Sequence, residues 1–223
     1  MEQFFPVLSG CPLFSGIEPD DVPSVLSCLG AAETKVPKGT AIFHEGDPVK
    51  YVGIVLSGAI QISQTDYAGN RIVVMSAGPG MLFGEVHMIA GLRQTPASAI
   101  AAQDSTVVLL DGWKILNGCE NKCALHWRII ENLLRSVAQK NMVLNRKIYI
   151  MSRRTTREKL LAFLTDQARQ QNSPAFTIPY DRQSLADYLG VDRSAMSTEI
   201  GKLKKDGLID CKDSWFCIKG LST

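Results

Sequence analysis

The sequence is poor in the residues and motifs on which most enzymes depend. Its 223 residues include three histidines, His44, His87 and His126, and contain no CxxC pair, P-loop, nucleophile elbow or metalloprotease motif. His44 is followed by Glu45, but neighbouring residues of a strand point to opposite faces of a sheet. These absences argue against an enzyme.

Long apolar runs are absent as well. No stretch approaches the ~18 residues of a membrane-spanning helix, and the N-terminal residues 1–5 lack the basic start and the cleavage site of an export signal. We therefore expect a cytoplasmic protein without a membrane partner, whose six cysteines stay reduced. With 45% hydrophobic and 21% charged residues, the chain is not globally disordered.

The charge is distributed unevenly along the chain. Residues 153–223 carry 12 Lys and Arg against 9 Asp and Glu, whereas residues 1–152 carry 12 against 13. A basic C-terminal segment suits an anionic partner.

Short β-branched runs broken by glycines occupy residues 34–111. Strands at this spacing predict a compact all-β barrel or sandwich, preceded by short helices in residues 1–30 and forming with them a domain over 1–118. The predicted strands are Ala41–Phe43, Val52–Leu56, Ala59–Ser63, Arg71–Met75 and Thr106–Leu110.

Residues 119–152 predict one long helix with a coiled-coil seam. Apolar residues recur there at alternating steps of four and three, which indicates a partner helix and hence a homodimer. Asn141 lies in the same register, where it either sets the register or faces a bound ligand. The alternative, a helix packed only on its own domain, is disfavoured by the length of the seam. The predicted dimer residues are Ile130, Leu134, Val137, Leu144 and Ile148.

Residues 153–223 predict three helices followed by a hairpin. Two short helices joined by a turn at Gly190 indicate a helix-turn-helix, and a hairpin of Leu208–Cys211 and Trp215–Lys219 would be its wing. The first predicted helix begins at the capping box Thr155–Glu158 and extends to about Gln171. Asp181 caps the second helix, Arg182–Leu189, and Asp192 caps the third, Arg193–Lys205.

The exposed N-terminal end of the last helix predicts a DNA-reading surface. Arginine grips guanine with two hydrogen bonds, hydroxyls read bases more weakly, and other basic residues position phosphates. The alternative is an interaction module that uses the same three helices without specific DNA binding. The predicted DNA-binding residues are Arg182, Gln183, Arg193, Ser194, Ser197, Thr198 and Lys202.

A β-domain, a long helix and a winged helix-turn-helix, in that order, resemble the cAMP receptor protein/FNR (Crp/Fnr) family of bacterial regulators. The most specific motifs are Phe83-Gly84-Glu85 and the segment Asp181–Ser194. The resemblance implies an α+β fold with an N-terminal cyclic-nucleotide-binding-like β-roll, a dimerisation helix and a C-terminal winged helix-turn-helix. It also implies a homodimer on a two-fold-symmetric double-stranded DNA operator, with RNA polymerase as a partner if the protein is an activator.

The resemblance also implies an effector pocket in the β-roll. In cAMP-binding members a Gly-Glu pair is followed by an Arg-Ser pair, whereas here Thr95-Pro96 stand at the second position. The loss of the arginine removes a charge-assisted bond to a phosphate, so we expect a small-molecule effector other than cAMP, acting through a hinge near Met151–Thr155. The predicted effector residues are Phe83, Gly84, Glu85, Arg93, Thr95, Asn141 and Asn145.

A redox, metal or haem gas sensor of the same family is the alternative. Cys119, Cys123 and His126 share one helix face and offer three metal ligands, but they also continue the seam, which favours a structural role. His87 lies where the family's CO sensors supply haem ligands. These cysteine and histidine residues therefore do not by themselves establish a metal or haem cofactor. Two other thiols, Cys211 and Cys217, flank the wing turn. If they face each other across it they could form a regulatory disulfide, but we expect two buried or half-exposed thiols.

Overall fold

The computed structural model describes residues 2–118 and 124–220. The chain forms two compact units, Met1–Gln139 and Lys140–Thr223, whose boundary falls inside the longest helix. No helix in the described ranges is long and apolar enough to cross a membrane. The functional division into 1–118, 119–152 and 153–223 remains a prediction, because the two units are defined by packing alone.

The N-terminal unit begins with short helices, as predicted for residues 1–30. Most of them carry a proline in the first turn, where its missing N–H has no intrahelical partner to lose. They are the 3-10 helices Glu2–Phe4, Pro12–Phe14 and Pro19–Asp21 and the α-helices α1 (Phe5–Ser9) and α2 (Val22–Cys28).

Two four-stranded antiparallel sheets follow, with strand orders β1-β8-β3-β6 and β2-β7-β4-β5. All five predicted strands are present, with ends that differ by up to two residues. The strands are β1 (Ala32–Val36), β2 (Ala41–Phe43), β3 (Tyr51–Ser57), β4 (Ile60–Thr65), β5 (Arg71–Ala77), β6 (Leu82–Phe83), β7 (Ser98–Ala101) and β8 (Ser105–Asp111).

Strand β3 is buried on both faces and divides the core of this unit. Val52 and Ile54 pack in one apolar cluster, while Val55 packs in the other. Gly53 lies under the ring of Phe83 in the neighbouring strand β6, and a Cβ at this glycine would lie 2.0 Å from the ring carbon Cζ. The close approach therefore requires glycine.

Two further helices, α3 (Glu85–Ile89) and α4 (Gly112–Asn117), complete the β-domain. Gly84 precedes α3 in the left-handed conformation, with φ of 80°. The carboxylate of Asp111 caps α4 by accepting hydrogen bonds from the backbone amides of Trp113 (2.9 Å) and Lys114 (3.2 Å).

The long helix α5 (Ala124–Met151) packs one face on the N-terminal unit. Ile129 and Leu133 are buried in its core, and Asn132 Nδ2 donates to the carbonyl oxygens of Leu13 (2.9 Å) and Ser15 (2.8 Å). These contacts hold the first half of α5 on its own unit.

A second face of α5 is apolar and exposed. The side chains of Leu134, Leu144 and Ile148 are 56%, 59% and 63% exposed, whereas Ile130 and Val137 are half-buried. We call these five residues the apolar stripe. Met142 and Val143, which the seam pattern did not include, are exposed as well.

His126 does not extend the apolar stripe, contrary to the prediction. It is buried against its own unit, where its Nε2 lies 2.9 Å from the carbonyl oxygen of Ile115. Cys119 and Cys123, which were predicted to share its face, lie outside the described residues.

The C-terminal unit has the predicted helices and one strand more than predicted. Its sheet has the order β10-β11-β9, and the helices enclose a core that includes Phe163, Leu185, Met196 and Phe216. The elements are α6 (Thr156–Gln170), β9 (Ala175–Thr177), α7 (Arg182–Leu189), α8 (Arg193–Lys205), β10 (Ile209–Lys212) and β11 (Trp215–Ile218).

The register of the wing hairpin decides between the two alternatives for its cysteines. Cys211 pairs with Phe216, and Cys217 pairs with Asp210. Because directly paired residues share a face and successive residues alternate, Cys211 and Cys217 lie on opposite faces of the hairpin. Both are half-buried free thiols, as expected, and they do not face each other across the turn.

The predicted hinge at Met151–Thr155 coincides with the junction between α5 and α6, and it remains a prediction. Ile150 is buried in the core of the C-terminal unit, and the next residues close a capping box. In this box the Thr155 hydroxyl accepts from the Glu158 amide (3.2 Å), and the Glu158 carboxylate accepts from the Thr155 amide (3.1 Å). Packing of Ile150 and the capping box therefore fix the two ends of this segment.

Candidate functional site

The turn between α7 and α8 is set by local residues. Gly190 ends α7 in the left-handed conformation, with φ of 58°. Asp192 starts α8 by accepting a hydrogen bond from the Ala195 amide (2.9 Å), and hydrogen bonds from the Ser194 hydroxyl and this amide lower the pKa of its carboxyl. Ala186 is fully buried, and its small side chain lets the two helices cross closely.

The end of α5 packs against this turn. A methyl group at Gly190 would lie 2.8 Å from Met151 Cε, and Lys147 Nζ lies 5.2 Å from the centre of the Tyr188 ring on α7. Lys159 of α6 also donates to the Leu189 carbonyl oxygen at 3.2 Å. The helix-turn-helix and the last turns of α5 thus form one packed assembly.

Gly190→Ala should destabilise the C-terminal unit. A left-handed backbone costs a non-glycine residue roughly 1–2 kcal/mol, and the new methyl would also meet Met151. The matched control is Gly201→Ala in α8, where a Cβ meets nothing within 4 Å and helix propensity predicts a gain of about 0.5–1 kcal/mol. Urea unfolding measures both, and equal stability of the two variants would contradict this account of the turn.

The predicted DNA-binding residues of α8 share its exposed surface. Arg193, Ser194, Ser197 and Thr198 are all exposed. The Ser194 hydroxyl donates to the Asp192 carboxylate, and the Thr198 hydroxyl donates to the Ser194 carbonyl oxygen. Lys202 is exposed one turn later and pairs with Glu199 at 2.7 Å. Arg193 is therefore the longest cationic side chain at the N-terminal end of the helix.

The two predicted residues of α7 are bound within their own unit. The Arg182 guanidinium carbon lies 5.0 Å from the centre of the Phe216 ring, and its Nη2 lies 3.9 Å from Cys211 Sγ. Gln183 donates to the Asp187 carboxylate at 2.9 Å. Arg182 thereby ties α7 to the wing hairpin.

A pocket of about 250 Å³ opens in the N-terminal unit. Its walls are mainly apolar and aromatic, with a few polar side chains, as is typical of small-molecule sites. The lining residues are Ile42, Phe43, Asp47, Pro48, Val49, Lys50, Tyr51, Gly84, His87 and Thr95.

Two of the seven predicted effector residues, Gly84 and Thr95, line this pocket, and the other five do not. Phe83 is fully buried over Gly53, Glu85 is only 1% exposed, and Arg93 is exposed outside the lining. Asn141 and Asn145 belong to the C-terminal unit, where Asn145 Nδ2 donates to Asn141 Oδ1 at 2.7 Å.

The polar wall of the pocket is a histidine–threonine pair. The Thr95 hydroxyl donates its single hydrogen to the Ala97 carbonyl oxygen (2.8 Å), so it accepts from His87 Nδ1 at 3.1 Å. The imidazole proton is thereby assigned to Nδ1, and Nε2 keeps a free lone pair. Burial lowers the pKa of His87, although the Glu85 carboxylate partly opposes this shift.

No group of three potential metal ligands (His, Cys, Asp or Glu) comes together within residues 2–118 and 124–220. His126, the one described member of the predicted trio, bonds to Ile115 through Nε2, and its buried Nδ1 has no hydrogen-bond partner in that part of the chain.

Two family matches decide the identity of the chain. The cyclic nucleotide-binding domain family matches residues 33–122, and the Crp-like helix-turn-helix domain family matches residues 158–221. The chain belongs to the Crp/Fnr family. This Crp/Fnr protein is a transcription regulator with a DNA-binding helix-turn-helix domain, and not an enzyme.

Relatives of this Crp/Fnr protein span most of its length. It is 27% identical over 205 residues to the cyclic AMP receptor protein of Thermus thermophilus, covering 91% of this chain and 89% of the relative. It is 26% identical over 180 residues to the transcriptional activator protein FnrL of Cereibacter sphaeroides, covering 77% and 69%. The solved Thermus thermophilus catabolite activator protein matches with a TM-score of 0.50 and 25% identity, covering 93% of each chain.

The sequence of this Crp/Fnr protein did not predict that residues between 42 and 51 form a wall of the pocket. Phe43 and Tyr51 line the pocket from that segment, and Pro48 makes an isolated bridge to Gln94 near Thr95. The Glu45-Gly46-Asp47 motif indicates a turn at this position, but it does not by itself indicate which segment of the chain packs opposite that turn.

Proposed function

We propose that this Crp/Fnr regulator acts as a homodimer on a two-fold-symmetric operator and responds to a small molecule bound in the 250 Å³ pocket. The observation that carries the proposal is the exposed N-terminal end of α8, held by the Asp192 cap on a folded helix-turn-helix. A recognition helix presents this end to base edges in the major groove. Titration of labelled DNA with the protein, with the stoichiometry determined by sedimentation, tests it.

The apolar stripe supports the dimer. Leu134, Leu144 and Ile148 place three large apolar side chains along one exposed face of α5, and leaving them in water forgoes roughly 1.5–3 kcal/mol for each. Pairing with the same stripe of a second chain buries them symmetrically. The spacing of steps of three and four suits a two-stranded coiled coil.

The pocket, whose lining holds one cation (Lys50) and one carboxylate (Asp47), favours a hydrogen-bond-donating effector over cAMP. No arginine lines it among the described residues, and Thr95, which stands where cAMP-binding members carry arginine, is buried with its hydroxyl occupied. The free lone pair of His87 Nε2 accepts a hydrogen bond from the ligand. The name of the Thermus thermophilus relative keeps cAMP as the comparison ligand in any binding assay.

His87 should make the N-terminal unit less stable in mild acid. Because burial lowers its pKa below 6.5, the unfolded chain takes up the proton at a higher pH than the folded chain. Stability is therefore lost as the pH falls below about 6.5. The urea midpoint should fall between pH 7.5 and pH 5.5, and less so in His87→Gln. An unchanged dependence in His87→Gln would refute this assignment.

We propose that the signal to the DNA-binding unit travels through α5, because this helix has residues in both units. Because the C-terminal part of α5 packs on α6 and α7, we place the point of adjustment near the boundary between Gln139 and Lys140. An effector that binds two arrangements of the dimer with different affinity shifts their populations. The packed contact between Met151 and Gly190 would then carry a movement of α5 to the helix-turn-helix.

Metal sensing is a second candidate, and one observation favours it. A metal-binding histidine usually donates one ring N–H to a backbone carbonyl and binds the metal through the other nitrogen. His126 has this arrangement, with Nε2 near the Ile115 carbonyl oxygen and Nδ1 buried without a partner in the described chain. Metal analysis of protein purified without oxygen tests it, and a stoichiometric metal lost in His126→Gln would support it.

A further inference from the structure

A larger groove, of about 570 Å³, lies within the C-terminal unit. It is formed by the last turns of α5 and by α6, and it shares no residue with the pocket of the N-terminal unit or with the predicted DNA-binding residues. Its volume lies within the range of about 300–1,000 Å³ that is usual for small-molecule sites. The lining residues are Asn145, Arg146, Tyr149, Ile150, Arg153, Glu158, Leu161, Ala162, Thr165, Asp166 and Arg169.

Arg153 is the least satisfied residue of the groove. Its Nε is buried and has no hydrogen-bond partner within the described part of the chain, and its guanidinium carbon lies 4.1 Å from the centre of the Tyr149 ring. A buried N–H without an acceptor costs free energy. The stacking on Tyr149 holds the guanidinium plane in place but supplies no acceptor.

The two acidic residues of the groove are largely occupied. Glu158 Oε2 accepts from the backbone amides of Arg154 and Thr155, each at 3.1 Å, as part of the capping box. One oxygen of Asp166 accepts from Gln170, and the other lies a loose 3.9 Å from Arg146 Nε. These hydrogen bonds leave both carboxylates charged, and the pKa of Glu158 is lowered chiefly by the hydrogen bonds with Thr155 and also by the nearby Arg153. Three arginines against two carboxylates leave the groove with an excess of one positive charge.

The floor of the groove is apolar. Ile150 is buried, while Leu161 and Ala162 are half-buried beside it. Arg169 stands at the far end of α6 and makes no ion pair with any residue in the described ranges. A floor of this kind beneath basic side chains suits a ligand that is apolar in its body and anionic at its end.

We propose that this groove binds a small organic anion, in which a carboxylate or phosphate is attached to an apolar or aromatic body. Arg153 would donate to the anionic group, supported by Arg146 and Arg169, and the body would cover Ile150 and Leu161. The site is independent of the effector pocket proposed above. Because α5 and α6 also contact the α7–α8 turn, a ligand here would act on the DNA-binding unit directly.

Calorimetric titration of the full-length protein with three probes tests the proposal. Phenyl phosphate and benzoate carry an anion on an aromatic body, whereas inorganic phosphate carries the charge alone. We expect at least one aromatic anion to bind about tenfold more tightly than inorganic phosphate, and the better of the two identifies the anionic group. Inorganic phosphate binding as tightly as both aromatic anions would overturn the proposal.

Two arginine variants and one control locate the site. Arg153→Gln should weaken binding of the better aromatic anion by about tenfold or more, and Arg169→Gln, at an exposed position, should weaken it without affecting the fold. Arg154→Gln is the matched control, because this exposed neighbour does not line the groove. Equal binding by all three variants and the parent would overturn the assignment, as would the absence of binding by either aromatic anion.

Discussion

Leu144→Asp should convert the proposed homodimer into a monomer and abolish tight operator binding. Leu144 is 59% exposed in the single chain and lies in the middle of the apolar stripe, so each dimer would lose the burial of two leucines. At roughly 1.5–3 kcal/mol for each side chain, and with two unpaired carboxylates added to the seam, the dimer dissociation constant should rise ~100-fold or more. Sedimentation equilibrium measures this constant directly.

Loss of the dimer should carry over to DNA. A dimer contacts the two half-sites of an operator with two linked DNA-binding units, and this linkage raises the affinity for DNA by about 10²–10⁴. The Leu144→Asp protein should therefore bind an operator no better than a single half-site.

Met142→Asp is the control for the stripe. Met142 is similarly exposed, at 55%, but it lies two residues from Leu144 and so points about 200° away around the helix. This variant should remain a dimer. A dimer lost in Met142→Asp and kept in Leu144→Asp would show that the chains pair through a different face of α5.

Arg193→Ala should weaken operator binding by about 1–3 kcal/mol, or roughly 5- to 150-fold, and should relax specificity at one base pair. The reason is the position of Arg193 at the exposed N-terminal end of α8, where a guanidinium can grip a guanine with two hydrogen bonds. Binding to random DNA should change far less. Fluorescence anisotropy with operator and random duplexes measures both.

Lys202→Ala provides the contrast. Lys202 lies further along α8 and is expected to contact phosphate, so its removal should weaken operator and random DNA alike and lower the salt slope by about one. If Arg193→Ala behaves in this way too, Arg193 contacts the backbone and does not read a base.

The helix-turn-helix could be predicted closely because its boundaries are encoded locally. Asp181 and Asp192 cap α7 and α8 with their own side chains, and Gly190 supplies the left-handed residue between them. Such signals act over three or four residues and need no distant partner. The predicted ends of both helices agree with the structure.

Strands that depend on distant partners escaped prediction. The strand β7 (Ser98–Ala101) is rich in small residues and is held by pairing with β2 and β4. The strand β9 (Ala175–Thr177) has three residues and pairs with β11. β7 consists mainly of small residues, and β9 is so short that Phe176 and Thr177, although they favour strands, form no recognisable pattern. Pairing across the sheet therefore decides both conformations.

The pocket was the feature that the sequence predicted least well, because it too depends on contacts between distant segments of the chain. Its wall joins residues 42–51 to Gly84, His87 and Thr95, which only the folded sheets bring together. Arg93 is only two residues from Thr95 in the sequence, but it does not line the pocket. Sequence spacing likewise did not reveal that Ile150, next to the predicted hinge, is buried among helices α6 to α8.

Selection of bound duplexes from random DNA by the purified full-length protein, followed by sequencing, tests the central claim most directly. A homodimer with two recognition helices predicts enrichment of an inverted repeat whose half-sites are centred about one helical turn, or roughly 10 base pairs, apart. Leu144→Asp should lose this enrichment. Recovery of a single asymmetric half-site by the parent protein, or no enriched sequence at all, would contradict the proposal of a dimer on a symmetric operator.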